Sequence, residues 1–139
     1  MEIKSNNMVN FICEFFDQQP TNMRIAYLRQ RLLVMIFREI LTERGVKTTR
    51  EGDDIFVDGR KLSISIASVS LSSAKIHFAL NLEDKGTPGD VETIGLYDID
   101  GGNVFNENNL KDLIFDVVNR FIDEIETIEK DISKTKVLV

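Results

Sequence analysis

The chain has no tryptophan, one cysteine, one histidine and two prolines in 139 residues. With Cys13 alone, an intramolecular disulfide and a cysteine-built zinc site are both excluded. Set in the apolar run VNFICEFF, it reads as a buried, inert thiol. His77 alone removes any site that needs two histidines from one chain, and no metal is expected. Long apolar runs are missing too. Nothing approaches the ~20 residues that span a bilayer, so no membrane partner is expected. The opening MEIKSNNMVNFICEFF has an acid at residue two, and Asn10 and Glu14 break its apolar stretch. It does not read as a secretory leader, and a cytoplasmic protein is expected. A surplus of positive charge is also absent: the net charge is -6, which argues against general nucleic-acid binding.

What is present suits one globular domain over 1–139, with 42% apolar and 29% charged residues. Met8 to Phe16 reads as a core strand of a larger sheet, apolar on both faces. Thr21 is the expected cap of a helix from Asn22 to Arg44, stopped by Gly45. Its middle, LLVMIF, is apolar nearly all round, as in a helix buried between layers. Strand signals follow at Val46–Arg50, Ile55–Val57, Arg60–Ser70 and Lys75–Leu82, and IGLYDI reads as a short strand. Leu110, Leu113, Val117, Phe121, Ile125, Ile128 and Ile132 then recur at helical spacing, and Asn106 or Asn108 caps that helix. The tail SKTKVLV reads as an edge strand or a frayed end. Strand, helix, several antiparallel strands, helix predicts α+β, with two long helices packed on one face of a mostly antiparallel sheet.

Asp58-Gly59 is the pair that a two-residue type I′ turn prefers, because both positions need positive φ. That turn sets Phe56 opposite Lys61 and Val57 opposite Arg60. Alternation then predicts Ile55, Leu62, Ile64 and Ile66 on a core face, with Asp54, Phe56, Lys61, Ser63 and Ser65 on the other. In KIHFALNL, Ile76, Phe78 and Leu80 point one way and His77, Ala79 and Asn81 the other. The two strands share a core face only if an odd connection or a bulge lies near LSS. A solvated outer face is the ordinary outcome for such a sheet. Small Ser63, Ser65, Ala67 and Ala79 argue instead for a cleft, since they leave room against the backbone. There Lys61, oriented by Asp54, stabilises a carboxylate or phosphate, and His77 supplies a hydrogen bond at the far end.

DDIFVDGRKLSIS followed by HFALNLE resembles the hairpin core of biotin and lipoate protein ligases. The resemblance implies that Lys61 matches the lysine that contacts the substrate carboxylate or acyl-adenylate. Arg60 matches its neighbour, Asp54 the acid of the preceding strand, and Asn81 the asparagine closing the later one. Over nearly the whole chain, MRIAYLRQRLL, GDDIFVDGRKLSISIA and IHFALNL are similar to the family called domain of unknown function 366. That family stands beside those ligases and the class II aminoacyl-tRNA synthetases. The resemblance implies a ligase-like core, N-terminally shortened, with ATP as cofactor and acyl or adenylyl transfer as the chemistry of an enzyme of this kind. The pattern departs at Ile64, where the ligases carry a glycine that gives the adenylate room. It departs again in lacking a Gly- and Arg-rich phosphate loop between Met1 and Thr21.

Other motifs do not carry a function. Gly52 to Lys61 has the wrong spacing for a Walker A loop, and no G-x-S-x-G elbow is present. In DIDGGNVFNENN, Asn103 and Asn109 occupy the positions where a calcium loop needs glycine and glutamate. Two expectations stand. One is a small-molecule binder for a carboxylate or nucleotide, using Lys61, Arg60, Asp54, Ser63, His77 and Asn81. The other is a non-catalytic assembly module, a homo-oligomer that kept the fold and lost adenylation.

Overall fold

The alternation in MVNFICEF and AKIHFALN builds two long antiparallel strands, β1 (Met8–Phe15) and β6 (Ala74–Asn81), paired so that Phe11 meets Phe78. The computed structural model describes residues 8–84 and 92–135. Between those strands in sequence come helix α1 (Met23–Glu43), β2 (Thr49–Glu51), β3 (Asp54–Val57), β4 (Arg60–Lys61) and β5 (Ser63–Val69). A 3₁₀ segment at Leu96–Gly102 and helix α2 (Leu110–Lys134) complete the chain. One sheet has the order β1-β6-β5 and the other β2-β3-β4. The fold is α+β, with both helices against one face of the first sheet.

Helix α1 starts at Asn22, whose Oδ1 accepts from the Ile25 N–H at 3.1 Å. Thr21, the expected cap, instead donates its hydroxyl to the Ser70 carbonyl. Gly45, at φ +82°, ends the helix in the left-handed conformation that glycine adopts without strain. Leu33, Val34, Phe37, Ile40 and Leu41 of this helix are fully buried against the sheets, and Phe37 packs edge-on to Phe78 at 5.5 Å. Truncating an aromatic such as Phe78 costs about 3–5 kcal/mol. In α2 only Leu113, Val117 and Phe121 are buried, and Phe121 meets Phe15 edge-on at 6.3 Å. Arg120 joins the helices, donating to Glu43 on α1 and to Asp116 on its own helix.

The structure also corrects three strand readings. The strand expected at Arg60–Ser70 is two strands in two sheets, divided at Leu62. Leu62 and Ser63 are both fully buried, so the alternation slips by one as the chain changes sheets. From there Ser63, Ser65 and Ala67 pair with Leu80, Phe78 and Ile76 and face the helices, while Ile64 and Ile66 stand out at 45% and 56% exposure. The β5–β6 connection is accordingly even: Val69 pairs with Ala74 across four residues. Second, β1 is an edge strand among the described residues, with Ile12 outward and 52% exposed. Third, IGLYDI forms a buried 3₁₀ turn rather than a strand. The tail from 136 lies outside the described residues, as does most of the loop at 83–90.

Candidate functional site

The hairpin turn is as the residues require: Asp58 and Gly59 have φ +51° and +75°, and Val57 and Phe56 pair with Arg60 and Lys61. Asp54 lies diagonally across from Lys61 on the same face, and its Oδ1 is 3.2 Å from the Lys61 ammonium. Both side chains are about a third exposed. The backbone at Lys61 is held from its other side too. Its N–H donates to the Glu92 carbonyl at 2.8 Å, and its carbonyl accepts from Ile94 N–H at 3.0 Å. The Asn81 amide donates to the Lys61 and Ile94 carbonyls, each at 3.3 Å, and so clamps the two segments together. Lys61 is therefore a cation on a fixed backbone.

A recess of about 230 Å³ opens beside it, lined by Met8, Lys61, Ile64, Asn81, Glu83 and Thr93. It lies at one end of the outer face of the β1-β6-β5 sheet. The pairing lays out that face in cross-strand rows. Asn81 stands beside Met8; then come Ile64, Ala79 and Asn10, then Ile66, His77 and Ile12. His77 is buried and within 3.0 Å of Asn10, its Nε2 donating to Asn10 Oδ1. Burial holds its imidazole below the ordinary histidine pKa, which keeps it neutral near pH 7.

Of the expected site residues, the fold brings Lys61, Asp54 and Asn81 together. His77 shares the face but lies four residues from Asn81, about 13 Å along the strand at ~3.3 Å per residue. Arg60, opposite Val57, does not line the recess. Ser63 is a correction: it is fully buried, and its hydroxyl accepts from the Ile55 N–H at 3.0 Å, tying one sheet to the other. Ser65 and Ala67 leave no open cleft either. They make room for α1, where Ala26 packs against Ala67 and the Gln30 amide donates to Ser65 Oγ at 2.9 Å. Sequence reading missed Met8, Ile64, Glu83 and Thr93. Thr93 arrives from across the 84–92 connection with no local signal, and Ile64 was hidden by the slip at Leu62.

A family model described as "Domain of unknown function (DUF366)" matches residues 1–136. The uncharacterized protein MJ0805 of Methanocaldococcus jannaschii is 36% identical over 137 residues, which cover 99% of this chain and 58% of that protein. This chain thus spans little more than half the length of that relative. A solved protein of unknown function from Pyrococcus horikoshi superposes with a TM-score of 0.82 at 37% identity, covering 100% of this chain and 69% of that one. The biotin protein ligase from Aquifex aeolicus, solved with biotin and ATP, superposes with a TM-score of 0.67. It is 14% identical and is matched over 89% of this chain and 52% of the ligase. At that identity the likeness shows a shared fold.

Proposed function

The chain belongs to the domain of unknown function 366 family, and from that premise we propose that it binds a small organic carboxylate in the recess at Lys61. The observation that carries the reading is a single ammonium, oriented by Asp54 at 3.2 Å and set in a recess with Asn81 and Thr93. A carboxylate 4 Å from that ammonium gains about 4 kcal/mol at the effective dielectric near a protein surface, before desolvation is counted. The recess holds about eight waters' worth of volume at ~30 Å³ each, enough for a headgroup and a short stem. The remainder of such a molecule lies along Ile64 and Ile66, whose exposed side chains supply an apolar bed. Biotin, bound by the ligase of the same fold, is an acid of this kind.

The residues present do not fit ATP at the same place. Lys61 is the sole cation among the six lining residues, while Glu83 contributes a carboxylate to the wall. Ile64 puts a branched side chain where the ligase pattern has glycine. A polyphosphate meets too little positive charge and too little room. The reading is accordingly one of binding, with no adenylation step.

Thermal shift tests it, using biotin, lipoate and amino acids, each beside its uncharged amide, on wild type and Lys61→Ala. An acid at a hundred times its Kd adds about 2.7 kcal/mol, or roughly 9 °C for a chain of this size. The expected result is a shift with an acid, none with its amide, and none in Lys61→Ala. Because the Lys61–Asp54 pair is partly exposed, its loss costs no more than about 1 kcal/mol of stability. An acid that stabilises Lys61→Ala as well as wild type overturns the reading, as does silence from every acid.

A further inference from the structure

We propose that the β1 edge and the exposed stripe of α2 form a two-fold interface with a second copy of this chain. Apart from Met8, which also lines the Lys61 recess, the residues concerned lie outside that site. Strand β1 is an edge of its sheet among the described residues, and it is eight residues long. At ~3.3 Å per residue that is about 26 Å of backbone donors and acceptors. Edges are usually blunted by lysine, proline or a bulge. MVNFICEF contains no lysine and no proline, its one charged residue, Glu14, accepts from the Ser73 hydroxyl at 2.7 Å, and its pairing with β6 runs without interruption from Met8 to Phe15.

Beside this edge, a groove of about 330 Å³ separates β1 from α2 and is lined chiefly by apolar residues, among them Ile12, Ile114, Val118 and Ile122. Val118 and Ile122 of that lining are 36% and 48% exposed, and Phe115, one turn before Val118 on the same helix, is 61% exposed. With Lys111 and Glu126, both exposed, they make one stripe at helical spacing.

That stripe is complementary to itself when reversed. About the midpoint between Val118 and Asn119, Phe115 and Ile122 stand at equal distances on either side, and so do Lys111 and Glu126. The latter two are each about 11 Å along the axis at ~1.5 Å per residue. In an antiparallel pair, Phe115 meets Ile122 of the partner subunit and Lys111 meets Glu126 of the partner subunit, twice over. An isologous contact requires this self-complementarity of one patch. Two β1 edges meeting antiparallel continue the sheet across the same axis. Other occupants of an apolar groove need no such symmetry of charge, so the pattern selects a second copy.

Sedimentation equilibrium on the full chain tests this, with wild type, Ile122→Glu, Lys111→Glu and the double variant Lys111→Glu/Glu126→Lys. Every altered side chain is exposed, and circular dichroism confirms that each variant folds. Wild type is expected to be a dimer. Ile122→Glu and Lys111→Glu are each expected to weaken it at least tenfold, and the double variant to recover the wild-type constant within about threefold. A wild type that stays monomeric overturns the proposal. So does a dimer indifferent to Ile122→Glu, or one that the charge exchange fails to restore.

Discussion

Lys61 and Asn81 do different work although both line one recess. The asparagine amide is committed to two carbonyls, so it fixes the wall while the lysine presents charge. His77 shows how burial sets chemistry at a single residue. Its folded pKa lies below 6.5 because desolvation disfavours the imidazolium. The unfolded chain therefore takes up this proton first as pH falls, and stability drops from about pH 6.5 down to the folded pKa. One proton limits the slope to about 1.4 kcal/mol per pH unit. His77→Gln, which keeps a donor for Asn10, is expected to remove this component as pH falls from about 6.5. Urea titrations at several pH values check it; parallel curves for wild type and variant across that window would sink the assignment.

At the scale of elements, β5 and α1 explain one another. The strand turns Ser63, Ser65 and Ala67 to a helix that offers Ala26 and Gln30, all of them small or hydrogen-bonded. Ala67→Leu forces those elements apart and is expected to cost about 1–3 kcal/mol, or roughly 3–10 °C in Tm. Ile66→Ala on the outer face is expected to change little. A Tm for Ala67→Leu equal to wild type would return the small residues to the role of an open cleft. The two helices are joined by charge as well as by packing. Glu43 and Asp116 push the Arg120 pKa up, and Arg120 holds the Glu43 carboxyl below its ordinary range. That contribution is present above the ordinary glutamate pKa and is lost as pH falls through the lowered one.

The molecule as a whole has one main core. Ile55, Val57 and Leu62 from the hairpin, Phe78 and Leu80 from the longer sheet, and residues of both helices belong to the same buried cluster. Ser63 adds a hydrogen bond between the sheets. The two sheets are therefore expected to unfold together, in a single two-state transition with a heat-capacity change of about 1.7–2.1 kcal/mol/K. Calorimetric and van't Hoff enthalpies test this by their agreement. Hydrogen exchange that releases the β2–β3–β4 hairpin well before β6 would show two cooperative units instead.

The residues alone determined what depends on local spacing. The helical period of α2, the apolar middle of α1, the Asp58-Gly59 turn with its register, and the diagonal pairing of Asp54 with Lys61 all follow from period and turn chemistry over a few residues. The α+β class follows from the order of those elements. Only the tertiary structure decided where the alternation slips. Leu62 is fully buried in the core that both sheets and both helices share, and the shift between sheets that it marks reverses every side chain from Ser63 to Val69. That reversal moved Ser63 into the interior and Ile64 into the recess, and no local pattern records it. The walls supplied by Met8 and Thr93 were equally hidden, because Met8 pairs with Asn81 and Thr93 bridges to Lys61 across long stretches of sequence.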